Sequence, residues 1–380
     1  MPWRYYDDED LQAVKAVLDS GNLCSIGGTV TPEFERRFAA EFGAPYALAG
    51  NSAMSLMHAA VAAAGVEPGD EVIVDPLVTF AALSVMYHNG IPVYCDVDRE
   101  THNMDPALLE DLITERTRAI WVTHLWGLPA DMDAINAVAQ RHGLVVLEDC
   151  AHAIYAQYRG RYAGTLGDIA TFSFQQSKQM GLGDAGMALM KSAEHHQVMA
   201  EMGTFGAIPP RLSWNYRLNE VIAAIGIVQL QRARGYVEQC MTNGELFSAA
   251  VADCAWVVPQ RVPPDHRHAY HLWAALFEGD RAGVDYAAFQ QRCGELGVGV
   301  GFGYIGRPAY LHETLRRPLA YGKGCPVRCP HRSRDVEYRE GLCPVAEEIM
   351  PRLMLLYTGM GTEAARATAD QLAEAVSQPA

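Results

Sequence analysis

An α/β fold, with a mainly parallel central sheet flanked by helices and a smaller C-terminal α+β region, is predicted by three features of the 380-residue sequence. Short apolar runs alternate with amphipathic helical stretches through the first 190 residues, the pattern of strands joined by crossover helices. After about residue 240 the pattern changes to short strands, isolated helices and Gly- and Pro-rich turns, notably Gly297 to Pro308. Hydrophobic residues make up 49% of the chain and charged residues 20%, with Gly and Pro scattered without period, so the chain can bury a large core without disulfides or metal.

Taken in order, Ala47–Gly50, Glu71–Val74, Ile91–Asp96, Ala119–His124 and Leu144–Asp149 read as buried strands. Helical stretches separate them near Ser55–Ala63, Phe80–His88, Pro106–Ile113 and Met132–His142. A further strand pair, around Asp168–Gln175 and Ala185–Met190, has no long helix between its members and is expected to pair differently. An alanine- and leucine-rich helix from Glu220 to Gln239 leads out of the first domain. The expected division is 1–238 and 239–380, with the first 20 or so residues available to pack on the smaller part. Tyr270–Leu276 reads as a strand, Tyr321 to Cys343 as a long loop, and Cys343-Pro344 as the start of another helix.

Forty-five acidic against 30 basic residues leave a net charge of −15, which argues against nucleic acid or an anionic membrane as a partner. No apolar run approaches the ~18 residues of a membrane span. The opening Met1-Pro2-Trp3-Arg4 lacks the apolar core of a secretory signal. Nine cysteines, an odd number scattered over a long chain, read as reduced thiols in a cytoplasmic protein.

Open α/β sheets keep their chemistry beyond the carboxyl ends of the strands. Three such ends carry informative residues here. Val145-Val146-Leu147 runs into Glu148-Asp149-Cys150-Ala151-His152, and Phe172-Ser173-Phe174 is followed by Lys178. The turn Gly50-Asn51-Ser52 leads into a helix whose free N–H groups suit a phosphate. Singly, each has an ordinary structural explanation: a cap, a solvated lysine, a serine at a helix start. Together they are what pyridoxal phosphate chemistry requires. A lysine amine forms a Schiff base, a carboxylate keeps the pyridine nitrogen protonated, and a helix N-terminus holds the phosphate. A flat side chain must also cover the ring, and Phe80 is the candidate, although an ordinary core role suits it equally.

With these residues in hand, the chain resembles the DegT/StrS-type sugar aminotransferases, which share the aspartate aminotransferase fold (fold type I). Glu148-Asp149-Cys150-Ala151-His152 is similar to that family's Glu-Asp-x-Ala-His/Gln signature. Gly160 to Asp168 resembles the hairpin that follows it, and Phe172-Ser173-Phe174 with Lys178 resembles its lysine motif. Gly27-Gly28 with Glu33-Phe34-Glu35, and Asn215-Tyr216-Arg217-Leu218-Asn219-Glu220, resemble its opening and subunit-crossing segments. The resemblance implies pyridoxal 5'-phosphate, with pyridoxamine phosphate formed in the cycle, and roles for individual residues. Lys178 and Asp149 are then catalytic, and His152 and Phe80 lie against the ring. Ser52, Ala53, Met54 and Ser173 hold the phosphate, with Asn215 reaching it from the partner chain of a homodimer.

Two departures stand out. Ser52-Ala53-Met54 replaces the family's Ser-Gly-Thr, losing a hydroxyl worth ~1.5–3 kcal/mol if its hydrogen bond was charge-assisted. Gly183-Asp184-Ala185-Gly186 replaces Gly-Glu-Gly-Gly, which is strained if Ala185 must take positive φ. Other motifs are decoys. The G-x-G-x-x-G run from Gly181 to Gly186 lies late in the sheet rather than after a first strand. Cys325, Cys329 and His331 lack a second ligand pair for zinc, so no metal is expected. His195-His196 and the His266/His268/His271 group read as exposed turn and strand residues, with His271 or Tyr270 able to face a substrate.

The resemblance extends to the cyclitol branch of the family through Gln175-Gln176 and the tail from Cys325 to Glu347. It implies transfer of an amino group from glutamine or glutamate to a keto-cyclitol or keto-sugar, as in aminoglycoside biosynthesis. A nucleotide-linked keto-sugar is the alternative, with Arg211, Arg217 or Arg307 as diphosphate ligands. A dehydrating or aromatising enzyme on the same scaffold, or a cofactor-binding protein without turnover, completes the set of readings.

Overall fold

The computed structural model describes residues 3–204, 211–316, 321 and 323–377; Met1, Pro2 and Gly322 lie outside the described residues. Asp7 opens α1 (Asp8–Ser20) with a reciprocal cap, its carboxylate accepting from Glu9 N–H while Asp10 accepts from Asp7 N–H. In α2 (Val30–Phe42) the apolar Phe34, Phe38 and Phe42 recur every fourth residue and are buried. The sequence reading places neither helix, although the spacing of Phe34, Phe38 and Phe42 is that of an amphipathic helix.

The alternating region then follows: β1 (Tyr46–Gly50), α3 (Ala53–Ala63), β2 (Glu71–Val74), α4 (Phe80–Tyr87) and β3 (Ile91–Tyr94), then α5 (Leu109–Leu112), β4 (Thr117–Thr123), α6 (Met132–His142) and β5 (Val145–Asp149). A hairpin of β6 (Gln157–Tyr158) and β7 (Arg161–Tyr162) precedes β8 (Ile169–Ser173) and β9 (Gly186–Met190). The seven long strands form one sheet in the order β1-β9-β8-β5-β4-β2-β3. The pairs from β8 through β3 are all parallel, while β9 runs antiparallel to both β8 and β1. That is the mainly parallel sheet expected, with the late pair differing as anticipated. Both faces are apolar: Val72 and Val74 join the cluster containing Trp121, and Ile73, Ile120 and Val122 join one on the opposite face with Val146 and Ile135.

After β9 come α7 (Ala193–Gly203) and α8 (Glu220–Ala250). His195 and His196 sit on α7, half-buried, and not in an exposed turn; Ser192 caps His195 N–H at 3.1 Å, a start signal hidden by the short apolar content of the helix. The helix expected over Glu220–Gln239 runs on to Ala250 through Asn243-Gly244, because Asn243 Nδ2 donates to Thr358 O and Met360 O and Phe247 packs in the core of the next sheet. That sheet contains β10 (Val257–Pro259), β12 (Leu272–Phe277), β13 (Gly301–Phe302) and β14 (Leu353–Tyr357) in the order β10-β12-β14-β13, with β11 (His266–Arg267) pairing instead with β6. Among the described residues four more α-helices accompany it: α9 (Tyr286–Leu296), α10 (Glu313–Arg316), α11 (Pro344–Ile349) and α12 (Thr362–Ser377). No helix among the described residues is long and apolar enough to cross a membrane.

Candidate active site

Strand alternation divides the Glu148-Asp149 pair between two tasks. Glu148 is fully buried, 2.9 Å from His124 Nε2, and accepts from the N–H groups of Gly164 and Leu166 at 2.8 Å, so it pins the loop after β7. Burial alone would raise its pKa, but His124 and the N–H groups of Gly167 and Gly164 hold it below the usual carboxylate range. Asp149, at the carboxyl end of β5, faces the other way into a cavity of about 410 Å³.

That cavity brings together Ser52, Ala53, Met54, Phe80, Asp149, His152, Ser173 and Lys178, from four separate stretches of chain. Asn215 is not among its lining residues. It is exposed, bridged to Thr204, and its carbonyl accepts from Asn51 Nδ2 at 3.1 Å, beside the Ser52 turn. Ser52 caps α3 by accepting from Ser55 N–H at 3.1 Å, which leaves the first N–H groups of that helix facing the cavity. Gly186 lies against this turn; a Cβ there would come within 2.6 Å of Ala53 N, so only glycine lets β9 approach. Ala185 does not take positive φ; Gly183 does, at +84°, so the altered loop is unstrained at Ala185.

The electrostatics are those of a lysine and an acid sharing one buried space. Burial pushes Lys178 down to about 8, opposed by the Asp149 charge. Burial raises Asp149, opposed by Ala151 N–H at 2.9 Å and by the Lys178 and His124 charges. His152 is buried with its ring 4.4 Å from that of His271 and 6.1 Å from that of Trp126, all three near parallel. Burial, Lys178 and His271 together hold His152 well below its ordinary pKa, so it is neutral near pH 7. Its Nδ1 and that of His271 are buried without a hydrogen-bond partner.

His268 and His271 are therefore buried rather than exposed. His268 is held by Gln260 Oε1 at 3.0 Å, and His271 lines the cavity while Tyr270 does not. Sequence pattern misses this because the burial of both side chains comes from segments distant in the chain: His271 stacks on His152, and His268 stays neutral beside His102. Tyr304, which reaches the cavity at φ +46° between Gly303 and Gly306, was also missed; the two flanking glycines were the available signal. Arg211, paired with Glu201 at 2.8 Å, lies outside the cavity lining, as do Arg217 and Arg307. Cys325, Cys329 and His331 do not gather as a metal cluster. The one such grouping among the described residues is His124, Glu148 and Cys150, whose histidine and carboxylate already bond each other.

Fold and cavity define the class: a fold type I α/β transferase with an amine and a carboxylate buried together at the carboxyl ends of its strands. The chain belongs to the DegT/DnrJ/EryC1/StrS aminotransferase family, whose model matches residues 4–376, and it is an aminotransferase. It is 34% identical over 331 residues to the spore coat polysaccharide biosynthesis protein SpsC of Bacillus subtilis, covering 82% of this chain and 84% of that one. It is 42% identical over 233 residues to GDP-perosamine synthase of Caulobacter vibrioides, covering 60% and 62%. A putative L-glutamine:3-amino-2,3-dideoxy-scyllo-inosose aminotransferase of Micromonospora echinospora is 34% identical over 296 residues, covering 74% and 70%. Among solved structures, 3-amino-5-hydroxybenzoic acid synthase superposes with a TM-score of 0.85 at 27% identity, covering 99% of this chain and 98% of that one.

Proposed function

We propose that this chain is a pyridoxal phosphate-dependent aminotransferase that moves an amino group from glutamine or glutamate to the keto group of a cyclitol or sugar, as in aminocyclitol antibiotic biosynthesis. The observation that carries the reading is Lys178 and Asp149 in one buried cavity, each shifting the other's protonation.

The residues present fit the cofactor. Asp149 supplies an acid for a pyridine nitrogen, Ser52, Ser173 and the α3 N-terminus supply donors for a phosphate, and the missing Cβ at Gly186 lets β9 pack against that turn. Phe80 and His152 flank the space between, with Ala53 and Met54 contributing backbone to the phosphate end. When bound, pyridoxal phosphate supplies an aldehyde and an electron-accepting ring that stabilises negative charge on the adjacent substrate carbon. Lys178 Nζ removes the proton from the donor's Cα and returns one to the acceptor carbon, a task for an amine whose pKa lies near the working pH. Asp149 holds its negative charge toward the ring nitrogen. His152 stays neutral and packs without adding a competing positive charge.

The reading also includes a cytoplasmic homodimer, with Asn215 reaching the phosphate of the partner's site, and a division into 1–238 and 239–380 about α8. Its acceptor is a neutral keto-cyclitol. Lys178 is the one cation that a single chain brings to the cavity lining among the described residues, and it belongs to the chemistry, which favours a neutral acceptor over a diphosphate. A nucleotide-diphosphate keto-sugar is the second reading, favoured by the 42% identity to GDP-perosamine synthase.

The deciding experiment gives the pyridoxal phosphate-loaded enzyme glutamine labelled with ¹⁵N at its α-amine, together with a panel of keto-cyclitols, keto-sugars and nucleotide-linked keto-sugars. Labelled aminocyclitol in the mass spectrum is the expected result. Labelled nucleotide sugar alone replaces the acceptor assignment, and no bleaching of the cofactor colour by glutamine or glutamate overturns transamination.

A further inference from the structure

The loop between β8 and β9 that carries Lys178 is held from outside by three side chains that the proposed chemistry does not use. Arg4 Nη1 donates to Lys178 O and its Nη2 to Gln176 O at 2.6 Å. Tyr6 OH donates to Gly181 O at 2.7 Å, and Tyr357 OH to Ser177 O at 2.6 Å. Four carbonyls of one short loop are thus bound by residues from the two ends of the chain. The N-terminal segment is itself anchored. Trp3 packs edge-on against Tyr236 and Tyr357, with centroids 6.0 and 6.2 Å away. Gln229 Nε2 donates to Tyr5 O at 3.1 Å, and Arg232 pairs with Asp7 and Asp10 at 2.9 and 3.0 Å.

Gly181 completes the seat. A Cβ at this position would lie 2.5 Å from Arg4 Nη1 and 2.7 Å from its Cζ, so the guanidinium occupies the space a side chain would fill. Gly181 is not among the positive-φ glycines, so a side chain there would disturb the seat of Arg4 rather than the backbone. A planar guanidinium holds two carbonyls with donors on separate nitrogens in a fixed fork, whereas a lysine ammonium offers three rotating donors from a single nitrogen.

From this geometry we infer that Arg4 is a positioning residue for the transfer reaction. Seated on Gly181, it fixes the main chain at Gln176 and Lys178 so that the Lys178 amine meets the donor carbon at one distance and angle. The inference rests on Lys178 being the reacting amine. Its physical basis is that misplacing a reacting group by an ångström or less costs large factors in rate while leaving binding nearly intact.

The test compares Arg4→Ala, Arg4→Lys, Gly181→Ala and the Arg4→Ala/Gly181→Ala double variant with the unaltered enzyme, with Lys178→Ala as control. In the cofactor-loaded proteins, Arg4→Ala and Gly181→Ala should each lower kcat on the order of tenfold or more, with KM for the amino donor within about threefold. The double variant should be no worse than either single one, because both remove the same contact. Arg4→Lys should recover only part of the loss. In the cofactor-free proteins, amide hydrogen exchange should quicken over residues 175–183 in both single variants, with Tm within a few degrees. Unchanged kcat in Arg4→Ala and Gly181→Ala overturns the inference. So does a double variant in which the two losses multiply, or a loss that follows Tm alone. Turnover retained by Lys178→Ala overturns the reading of the site and the inference with it, whereas an inactive Lys178→Ala beside unaffected clamp variants overturns the inference alone.

Discussion

At the scale of single residues, the site works through contrasts between neighbours. Glu148 and Asp149 are adjacent and both buried, yet one is saturated by His124 and backbone N–H groups while the other faces the cavity with Ala151 N–H and Lys178 for company. Replacing Lys178 by Ala should abolish amine transfer, measured by keto-acid release from glutamine, because no second lysine lines the cavity among the described residues. The Lys178 amine also makes a pH prediction. Held down to about 8 by burial, it is neutral above that pH and charged below it. The rate at which cofactor-free protein takes up pyridoxal phosphate should therefore rise with pH and level off above about 8, followed by absorbance. A profile still rising near pH 10 would place this amine in water instead.

At the scale of elements, two carboxylates show how one segment disciplines another. Glu220, first residue of α8, caps α2 from a distance: Thr29, Val30 and Thr31 N–H and the Thr31 hydroxyl all point to it. Burial would raise its pKa, but these donors hold it below the ordinary value. A Cβ on Gly28 would collide with this carboxylate at 2.3 Å, which explains the glycine just before the helix. Glu220→Ala orphans four donors and should destabilise the protein by about 1–3 kcal/mol, measured by urea unfolding. Glu35 on α2 has the opposite sign. Burial pushes it up to about 7, and Ala49 N–H at 2.8 Å only partly compensates. Its folded form holds a proton more tightly than the unfolded chain does, so its contribution is complete below the unfolded value of 4.5 and is lost as pH rises through 7. Glu35→Gln should therefore raise Tm relative to the unaltered protein at pH 8 by more than at pH 4.5, a difference readable by calorimetry.

At the scale of the whole molecule, the proposed dimer makes a complementation test possible. Asn215 lies beside the Ser52 turn on an exposed segment, outside its own chain's cavity lining. If it serves the partner's site, subunits carrying Lys178→Ala mixed with subunits carrying Asn215→Ala should regain activity at limiting cofactor. Random exchange restores roughly a quarter of the native sites, each built from the unaltered half of both chains. No gain on mixing would confine Asn215 to its own chain. The same scale explains what could be read in advance. The strands of the large sheet lie within two residues of their expected ends, because strands buried on both faces leave continuous apolar runs in sequence. That Asp149, Lys178, Ser52 and Ser173 would gather could be expected because Asp149 and Ser173 end strands, Ser52 starts a helix and Lys178 follows β8 by five residues, so chain direction carries all four toward one rim of the sheet. Helices α1 and α2 carry an amphipathic spacing, as in Phe34, Phe38 and Phe42, that was open to reading; α7, the buried state of His268 and His271, the entry of Tyr304 and the grip of Arg4 were not. These depend on partners more than a hundred residues away or on polar contacts that leave no periodic trace: Arg4 lies 174 residues from the lysine whose carbonyl it holds. Local hydrophobic pattern thus accounts for the sheet and the rim where its reactive groups collect. Folding supplies the rest, because desolvation and long-range hydrogen bonds exist only once distant segments meet, and they set the protonation and placement of those groups.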